Sequence, residues 1–161
     1  MVNVERCDGG PGALRRYSCK LVARCRRRLL IYGWWLDGRI YDQACFVSGV
    51  RQLVVRHSRA QVAILVADAQ ALARRGGPLL ALARRLPSQI ALRQRSPEDA
   101  EAPDSFLVVD DQAFIHRPSW SNHSHFVVSD SRSARARQLA RRFAAAWEEA
   151  DTPAVLRELH L

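Results

Sequence analysis

The sequence has little of three features, and each shortage excludes a class of protein. No apolar run approaches the roughly 18–20 residues that cross a bilayer, which argues against a membrane-spanning protein. There is no C-x-x-C pair, the usual sign of a zinc ribbon, and Lys20 is the only lysine. The first ten residues carry acidic side chains and no apolar core, so we expect no secretory signal and a cytoplasmic location.

The four cysteines do not have the spacing of a metal site. Cys19, Cys25 and Cys45 fall inside helical patterns, and Cys7 lies in the N-terminal segment. Reduced thiols buried in the core of a cytoplasmic protein are therefore predicted, with no metal or other cofactor.

The charge is strongly basic. The net charge is +9, and all but one of the 25 basic residues are arginine. Such a balance favours a polyanionic partner such as nucleic acid or an acidic membrane. Because the arginines are spread along the chain, a bias in composition that merely solvates helix faces explains them equally well.

The length of 161 residues suits one domain with a hydrophobic core of its own. Residues 1–12 include Gly9-Gly10-Pro11-Gly12 and predict a flexible arm. Residues 13–150 form the domain, and residues 151–161 form a tail in which Thr152-Pro153 begins a short helix.

The hydrophobic pattern within residues 13–150 alternates between helices and strands. Apolar residues at helical spacing run from Tyr41 to His57 and from Ser131 to about Ala150. The continuously apolar runs read as buried strands and include Leu29–Trp34, Val62–Ala67 and Phe106–Val109. The predicted class is α/β with a mixed sheet, in the order β-α-β-α-β-β-β-α, with helices on the sheet faces.

The stretch from Ser105 to Asp130 determines the rest of the interpretation. Phe106-Leu107-Val108-Val109 ends at Asp110-Asp111, and the next apolar run follows so closely that the chain must fold back as a hairpin. A third run, His125 to Asp130, leads into the helix that carries Phe143 and Trp147.

These two segments resemble the motif-bearing strand and the closing strand and helix of the phospholipase D superfamily. The resemblance runs from about Ala13 to Ala150 and implies one half of that fold. Tyr32, Asp37 and Tyr41, with the Phe-to-Trp ending, are also similar to bacterial domains that often lie beside an acetyltransferase domain. An acetyltransferase domain or protein is therefore an implied partner.

The same resemblance implies where catalysis would occur. In active members the histidine of an H-x-K-x-x-x-x-D motif attacks phosphorus, and the lysine and a downstream asparagine hold phosphate oxygens. Counted back from Asp110, the histidine and lysine positions hold Pro103 and Ser105, and counted from Asp111 they hold Asp104 and Phe106. Neither register supplies an imidazole or an ammonium group, so we expect no catalysis by this mechanism.

Three functional hypotheses follow. The first is a catalytically inactive scaffold that pairs with a second copy, because active members place two halves face to face. The second keeps an anion site for nucleic acid or another phosphorylated ligand, held by Arg117, Arg39 and Asn122. The third is a phosphodiesterase that uses His123, His125 and Asp130, which repeat the motif spacing, or a metal bound by His116, His123 and His125.

Overall fold

The computed structural model describes residues 4–7 and 9–157, which form a seven-stranded mixed sheet with helices on both faces. The strands are β1 (Val4–Cys7), β2 (Arg28–Gly33), β3 (Gln61–Val66), β4 (Ile90–Gln94), β5 (Ser105–Val109), β6 (Ala113–Arg117) and β7 (Phe126–Ser129). The helices are α1 (Gly10–Arg24), α2 (Gly38–Tyr41), α3 (Ala44–Arg56), α4 (Ala69–Arg75), α5 (Pro78–Arg85), α6 (Ala134–Glu148) and α7 (Ala154–Arg157). The order across the sheet is β1-β7-β6-β5-β2-β3-β4.

The predicted α/β class with a mixed sheet is confirmed. Strands β2, β3 and β4 are parallel, because helices connect them, whereas β5, β6 and β7 are antiparallel neighbours joined by short connections. Strand β5 lies antiparallel to β2, with Ile31 opposite Leu107, and every residue of β5 is buried. A continuously apolar strand is stable there because both faces of the sheet are covered.

The two faces of the sheet are covered by different numbers of helices. Residues of α1 to α5 form one core with one face of the sheet, and α6 alone forms the core on the other face. Phe143 of α6 is buried as expected, and Trp147 is half-buried and stacks on it with ring centroids 5.7 Å apart.

The N-terminal segment differs from its prediction as a flexible arm. Residues 4–7 form β1, which pairs antiparallel with β7, and α1 already begins at Gly10. The pairing satisfies backbone groups of β7 that would otherwise be exposed at a sheet edge. Residues 1–3 and 8 of the predicted arm, and residues 158–161 of the predicted tail, lie outside the described residues.

The prediction of reduced thiols is wrong for two cysteines. Cys19 of α1 and Cys45 of α3 form a disulfide, with Cα atoms 5.8 Å apart and 26 residues between them in sequence. Helical periodicity placed each residue on its helix but could not show that the two helices pack against each other here. Cys25 is free and buried, as predicted, and the side chain of Cys7 is outside the described part.

The two ends of the sheet have distinct surroundings. Strands β2, β3, β4 and β6 finish at one end of the sheet, and β5 and β7 begin there. We call this end the carboxyl end and the opposite one the amino end.

Within residues 4–7 and 9–157, no helix combines the length and the apolar character needed to cross a membrane.

Candidate functional site

Most of the predicted site residues gather at the carboxyl end. Asp104 and Ser105 lie where β5 begins, and His116 and Arg117 lie where β6 ends, with Ser105 directly opposite Arg117 in the register. Successive residues on a strand point to opposite faces. Asp104 and His116 therefore face α6, and Ser105 and Arg117 face the other side.

On the α6 side, Arg142 and His116 form hydrogen bonds with the carboxylate of Asp104. Arg142 of α6 donates to both carboxylate oxygens, at 2.5 and 2.7 Å, and Nε2 of His116 lies 2.7 Å from Oδ2. Burial alone would raise the pKa of Asp104, but the hydrogen bonds and charge of Arg142, together with His116, hold that pKa well below its usual value. The carboxylate is therefore ionised and fully engaged.

The same contacts fix the proton of His116. Its Nδ1 accepts a hydrogen bond from Nη2 of Arg135 at 2.7 Å, so the ring proton lies on Nε2, which donates to Asp104. Both ring nitrogens are occupied. His116 is therefore available neither as a nucleophile nor as a metal ligand.

A buried tyrosine extends this network into the core. The hydroxyl of Tyr32 lies 3.0 Å from each carboxylate oxygen of Asp99 and accepts from Arg95 at 2.6 Å and Arg142 at 3.2 Å. Burial raises the pKa of Tyr32 to about 12. Sequence reasoning missed Arg95, Asp99 and Arg142, because the segment after β4 brings the first two to Tyr32 and the return of α6 over the sheet brings the third.

On the opposite side, Asp37 forms a second carboxylate–histidine pair. Asp37 caps α2 by accepting from the backbone N–H of Arg39 at 2.9 Å, and Nε2 of His123 lies 2.5 Å from its Oδ2. Burial would raise the pKa of Asp37, but hydrogen bonds from Arg39 and His123 outweigh it and lower that pKa. Nδ1 of His123 makes no hydrogen bond within the described residues, so Asp37 orients an imidazole whose second nitrogen is unpaired there, in a side chain that is 10% exposed.

The three residues predicted to bind an anion have different environments. Arg39 has a side chain 63% exposed, and its guanidinium lies against Asp37 at 3.2 Å. Asn122 is exposed, and its side-chain oxygen accepts from the backbone N–H of Ser124 at 2.8 Å. Arg117 is buried.

The guanidinium group of Arg117 lies beside Ser105, the first residue of β5. Its Nη2 donates to Oγ of Ser105 at 3.1 Å and its Nη1 to the carbonyl of Trp120 at 3.2 Å. A side chain on Gly33 would lie within 2.9 Å of Ser105 Oγ, so glycine leaves the room that Ser105 needs. Within the described residues no carboxylate lies within 4 Å of Arg117, which leaves its buried positive charge without an anionic partner.

The residues of the enzymatic hypothesis do not form one group. Asp130 follows β7 at the amino end, 3.7 Å from the ammonium of Lys20, whereas His123 precedes β7 at the carboxyl end. His125 is exposed. His116 and His123 each bind a different carboxylate, and the described residues contain no group of three His, Cys, Asp or Glu that could hold a metal, so the structure gives no support to a metal site at His116, His123 and His125.

The aspartate that resembles the end of the motif has a structural role. Asp110 lies at the amino end in the hairpin turn, with φ of 53°, a conformation that aspartate tolerates better than most residues. Its carboxylate accepts from three successive backbone N–H groups, those of Arg26, Arg27 and Arg28, at 2.8 to 3.0 Å. It thereby joins the hairpin to the loop between α1 and β2.

Comparison with solved structures identifies the fold. Nuc from Salmonella typhimurium, a phospholipase D family member, matches 93% of this chain and 97% of its own, with 15% identity and a TM-score of 0.61. TrmBL2, an archaeal chromatin protein with a novel mode of DNA binding, matches 94% of this chain with 14% identity and a TM-score of 0.64. The chain spans only 54% of TrmBL2 and 42% of phosphatidylserine synthase from Haemophilus influenzae Rd KW20, which it matches with 14% identity and a TM-score of 0.60.

No curated protein matches the sequence. One family profile covers residues 11–159, almost the whole described domain. The chain therefore belongs to the family described as a domain of unknown function (DUF7931), and it has the phospholipase D fold.

Proposed function

We propose that the protein is a catalytically inactive domain with the phospholipase D fold that acts as a binding scaffold. The observation that supports this most is the start of β5, where Pro103 and Ser105 stand at the positions of the catalytic histidine and lysine. Proline offers no nucleophile. The hydroxyl of Ser105 donates to the carbonyl of Tyr32 at 2.9 Å and accepts from Arg117, so it has no general base beside it.

The alternative register leads to the same conclusion. Asp104 would stand at the histidine position, but Arg142 and His116 hold it as an engaged carboxylate. Phe106 would stand at the lysine position, where it is buried and stacked on Tyr32 with ring centroids 4.5 Å apart. Neither side chain can attack phosphorus or offset charge on a transferring phosphoryl group.

The competing function is hydrolysis of phosphodiesters by His123 with His125 and Asp130. One observation favours it: Asp37 orients His123 in the way that a carboxylate orients a catalytic imidazole. Asp130 lies at the other end of β7, however, and cannot assist His123 in the same site.

An assay of phosphodiester hydrolysis distinguishes the two functions. Bis(4-nitrophenyl) phosphate is incubated with the protein and with a His123→Ala variant, each with and without EDTA, beside an active superfamily member. We expect both proteins to release nitrophenol at the rate of buffer alone. Turnover that disappears in His123→Ala would overturn the proposal and support the enzyme.

The ligand that we propose for the scaffold's carboxyl end is a phosphoryl group. The buried guanidinium of Arg117 has no carboxylate partner, so it supplies positive potential beneath the surface. Arg39 and Asn122 are exposed at the same end of the sheet and can contact phosphate oxygens directly.

Titration with inorganic phosphate, followed by changes in backbone amide chemical shifts, tests this site. Arg39→Gln should weaken the shifts, whereas Arg15→Gln, an exposed position on α1, should leave them unchanged. Shifts that are the same in both variants, or that are absent from the carboxyl end of the native protein, would contradict the phosphoryl site.

We also propose that two copies pair through the carboxyl end, because active members of this fold bring two halves together there. Trp34 supports this pairing. It is 36% exposed and stacks on Trp120 with ring centroids 5.6 Å apart, an aromatic surface of the kind found at interfaces. Light scattering should give twice the mass of one chain and should give a monomer for Trp34→Ser. A monomer for the native protein would overturn the pairing.

Two further properties remain predictions. The resemblance to domains beside acetyltransferases implies such a domain as a neighbour, and co-purification with the protein's own cellular partners would test it. A cytoplasmic location was also predicted. The Cys19–Cys45 disulfide is more typical of an oxidising compartment and argues against it.

A further inference from the structure

The amino end of the sheet contains a cavity of about 940 Å³, far from the candidate site. Three segments contribute to it: the end of α1 with the loop that follows, the end of α3, and the hairpin turn between β5 and β6. We call it the arginine cavity after the side chains that dominate its lining, Arg24, Arg26, Arg27 and Arg56, which are joined by His57 and Asp110.

The four arginines are exposed and carry no internal ion pair. Within the described residues, none of them lies within 4 Å of a carboxylate oxygen, whereas the next arginine, Arg28, is 2.6 Å from Asp111. Four like charges around one concavity repel one another at low ionic strength. An anion from outside the chain would relieve that repulsion.

The one carboxylate in the lining does not neutralise these side chains. Asp110 is turned toward the loop, where it accepts from the backbone N–H groups of Arg26, Arg27 and Arg28 and from the thiol of Cys25. Its charge is thus stabilised by backbone dipoles, and none of the four guanidinium groups pairs with it. The cavity keeps a large excess of positive charge.

Helix stability explains only part of this arrangement. Arg24 and Arg56 lie in the last turns of α1 and α3, where a cation interacts favourably with the helix dipole. Arg26 and Arg27 lie in the loop between α1 and β2 and gain nothing from that effect. Their position at the mouth of the cavity needs another explanation.

We propose that the arginine cavity binds the phosphodiester backbone of double-stranded nucleic acid. Its guanidinium groups come from separate segments and are exposed, which suits a regular row of phosphates better than one enclosed phosphate. Apart from the imidazole of His57, no described residue of the lining offers a ring on which unpaired bases could stack. The proposal is independent of the phosphoryl site at the carboxyl end.

Fluorescence anisotropy with a labelled duplex of about 20 base pairs, roughly two helical turns, tests the proposal. The variant is the double substitution Arg26→Ala and Arg27→Ala. The matched control is Arg137→Ala with Arg141→Ala, which removes the same charge from two exposed positions of α6. All four positions are exposed, and circular dichroism checks that both variants fold.

We expect the cavity variant to bind about tenfold more weakly than the native protein at low salt, and the control to lose less than about twofold. Equal losses in both variants would overturn the proposal, since they would show that only net charge matters. Tighter binding of the single strand than of the duplex would also overturn it. Binding to vesicles of phosphatidylglycerol without binding to the duplex would assign the cavity to a membrane instead.

Discussion

The two ends of the sheet use arginine in opposite ways. At the carboxyl end, Arg39, Arg95 and Arg142 each bond to a carboxylate of the same chain, at Asp37, Asp99 and Asp104 respectively. At the amino end, the four arginines of the arginine cavity have no carboxylate within 4 Å in the described chain. Apart from the buried Arg117, the positive charge at the carboxyl end is thus largely neutralised from within, whereas the four arginines at the amino end are exposed and unpaired.

This difference shows how a basic composition should be interpreted. A net charge of +9 says nothing about where positive charge is available to a partner. Pairing matters: an arginine whose charge is offset by a buried carboxylate adds less positive potential to the surface than an unpaired arginine beside a cavity. His116 follows the same rule, since both of its ring nitrogens are occupied, by Asp104 and Arg135.

The largest expected effect concerns the link between α1 and α3, the two helices whose last turns line the arginine cavity. Cys45→Ser removes the disulfide, and loss of a cross-link over 26 residues should reduce the free energy of unfolding by about 2–4 kcal/mol. Urea unfolding measures it. A reducing agent should reproduce the loss in the native protein and have no effect on the variant.

A thiol titration of the unfolded native protein provides the control for this prediction. It should detect Cys25 and neither Cys19 nor Cys45. Detection of all four thiols, or equal stability of the native protein and Cys45→Ser, would show that the amino end does not depend on this link.

The second prediction tests whether the carboxyl-end charges are structural. Arg142→Ala leaves the buried carboxylate of Asp104 without the two hydrogen bonds from Arg142, and we expect a loss of about 2–3 kcal/mol. Arg141→Ala, the exposed neighbour on α6, should change stability by less than about 0.5 kcal/mol. Equal small losses in the two variants would show that the Arg142–Asp104 ion pair contributes no more to stability than an exposed, unpaired arginine.

The third prediction uses pH. The pKa of Asp104 in the folded chain is below its usual value of 3.8, so the ionised carboxylate stabilises the folded state. This contribution is complete above about pH 4 and is lost as pH falls through the lower folded pKa. Asn at this position cannot titrate, so the native protein should exceed Asp104→Asn in stability at neutral pH.

The stability difference between these two proteins should then narrow as the pH falls from about 5 to about 2. Urea unfolding at several pH values measures it, as far as folded protein persists. A difference that stays constant over this range would show that the pKa of Asp104 is not lowered by Arg142 and His116.

The sequence predicts much of the fold because its strands and helices have clear periodicity. A continuously apolar strand such as Phe106–Val109 is stable only where both faces of its sheet are covered, and β5 is indeed buried throughout. The exceptions are segments whose structure depends on distant partners. Residues 4–7 become a strand only because β7 offers an unpaired edge, and composition favoured a flexible arm.

The candidate site was harder to predict for a related reason. The absence of the catalytic histidine and lysine is visible at Pro103 and Ser105. By contrast, the Asp37–His123 pair joins residues 86 positions apart, and no local sequence pattern predicts it. Arg117 was expected to bind an anion, yet it is buried and donates to Trp120 and Ser105, partners that no local pattern identifies.

The salt dependence of duplex binding tests the contrast between the two ends most directly. The logarithm of the association constant is measured against the logarithm of salt concentration for the native protein, Arg27→Ala and Arg39→Ala, which each lose one exposed arginine. If polyanions bind at the amino end, Arg27→Ala should reduce the slope by about 1 and Arg39→Ala should leave it unchanged. A reduced slope for Arg39→Ala with an unchanged slope for Arg27→Ala would place the binding surface at the carboxyl end and contradict the account.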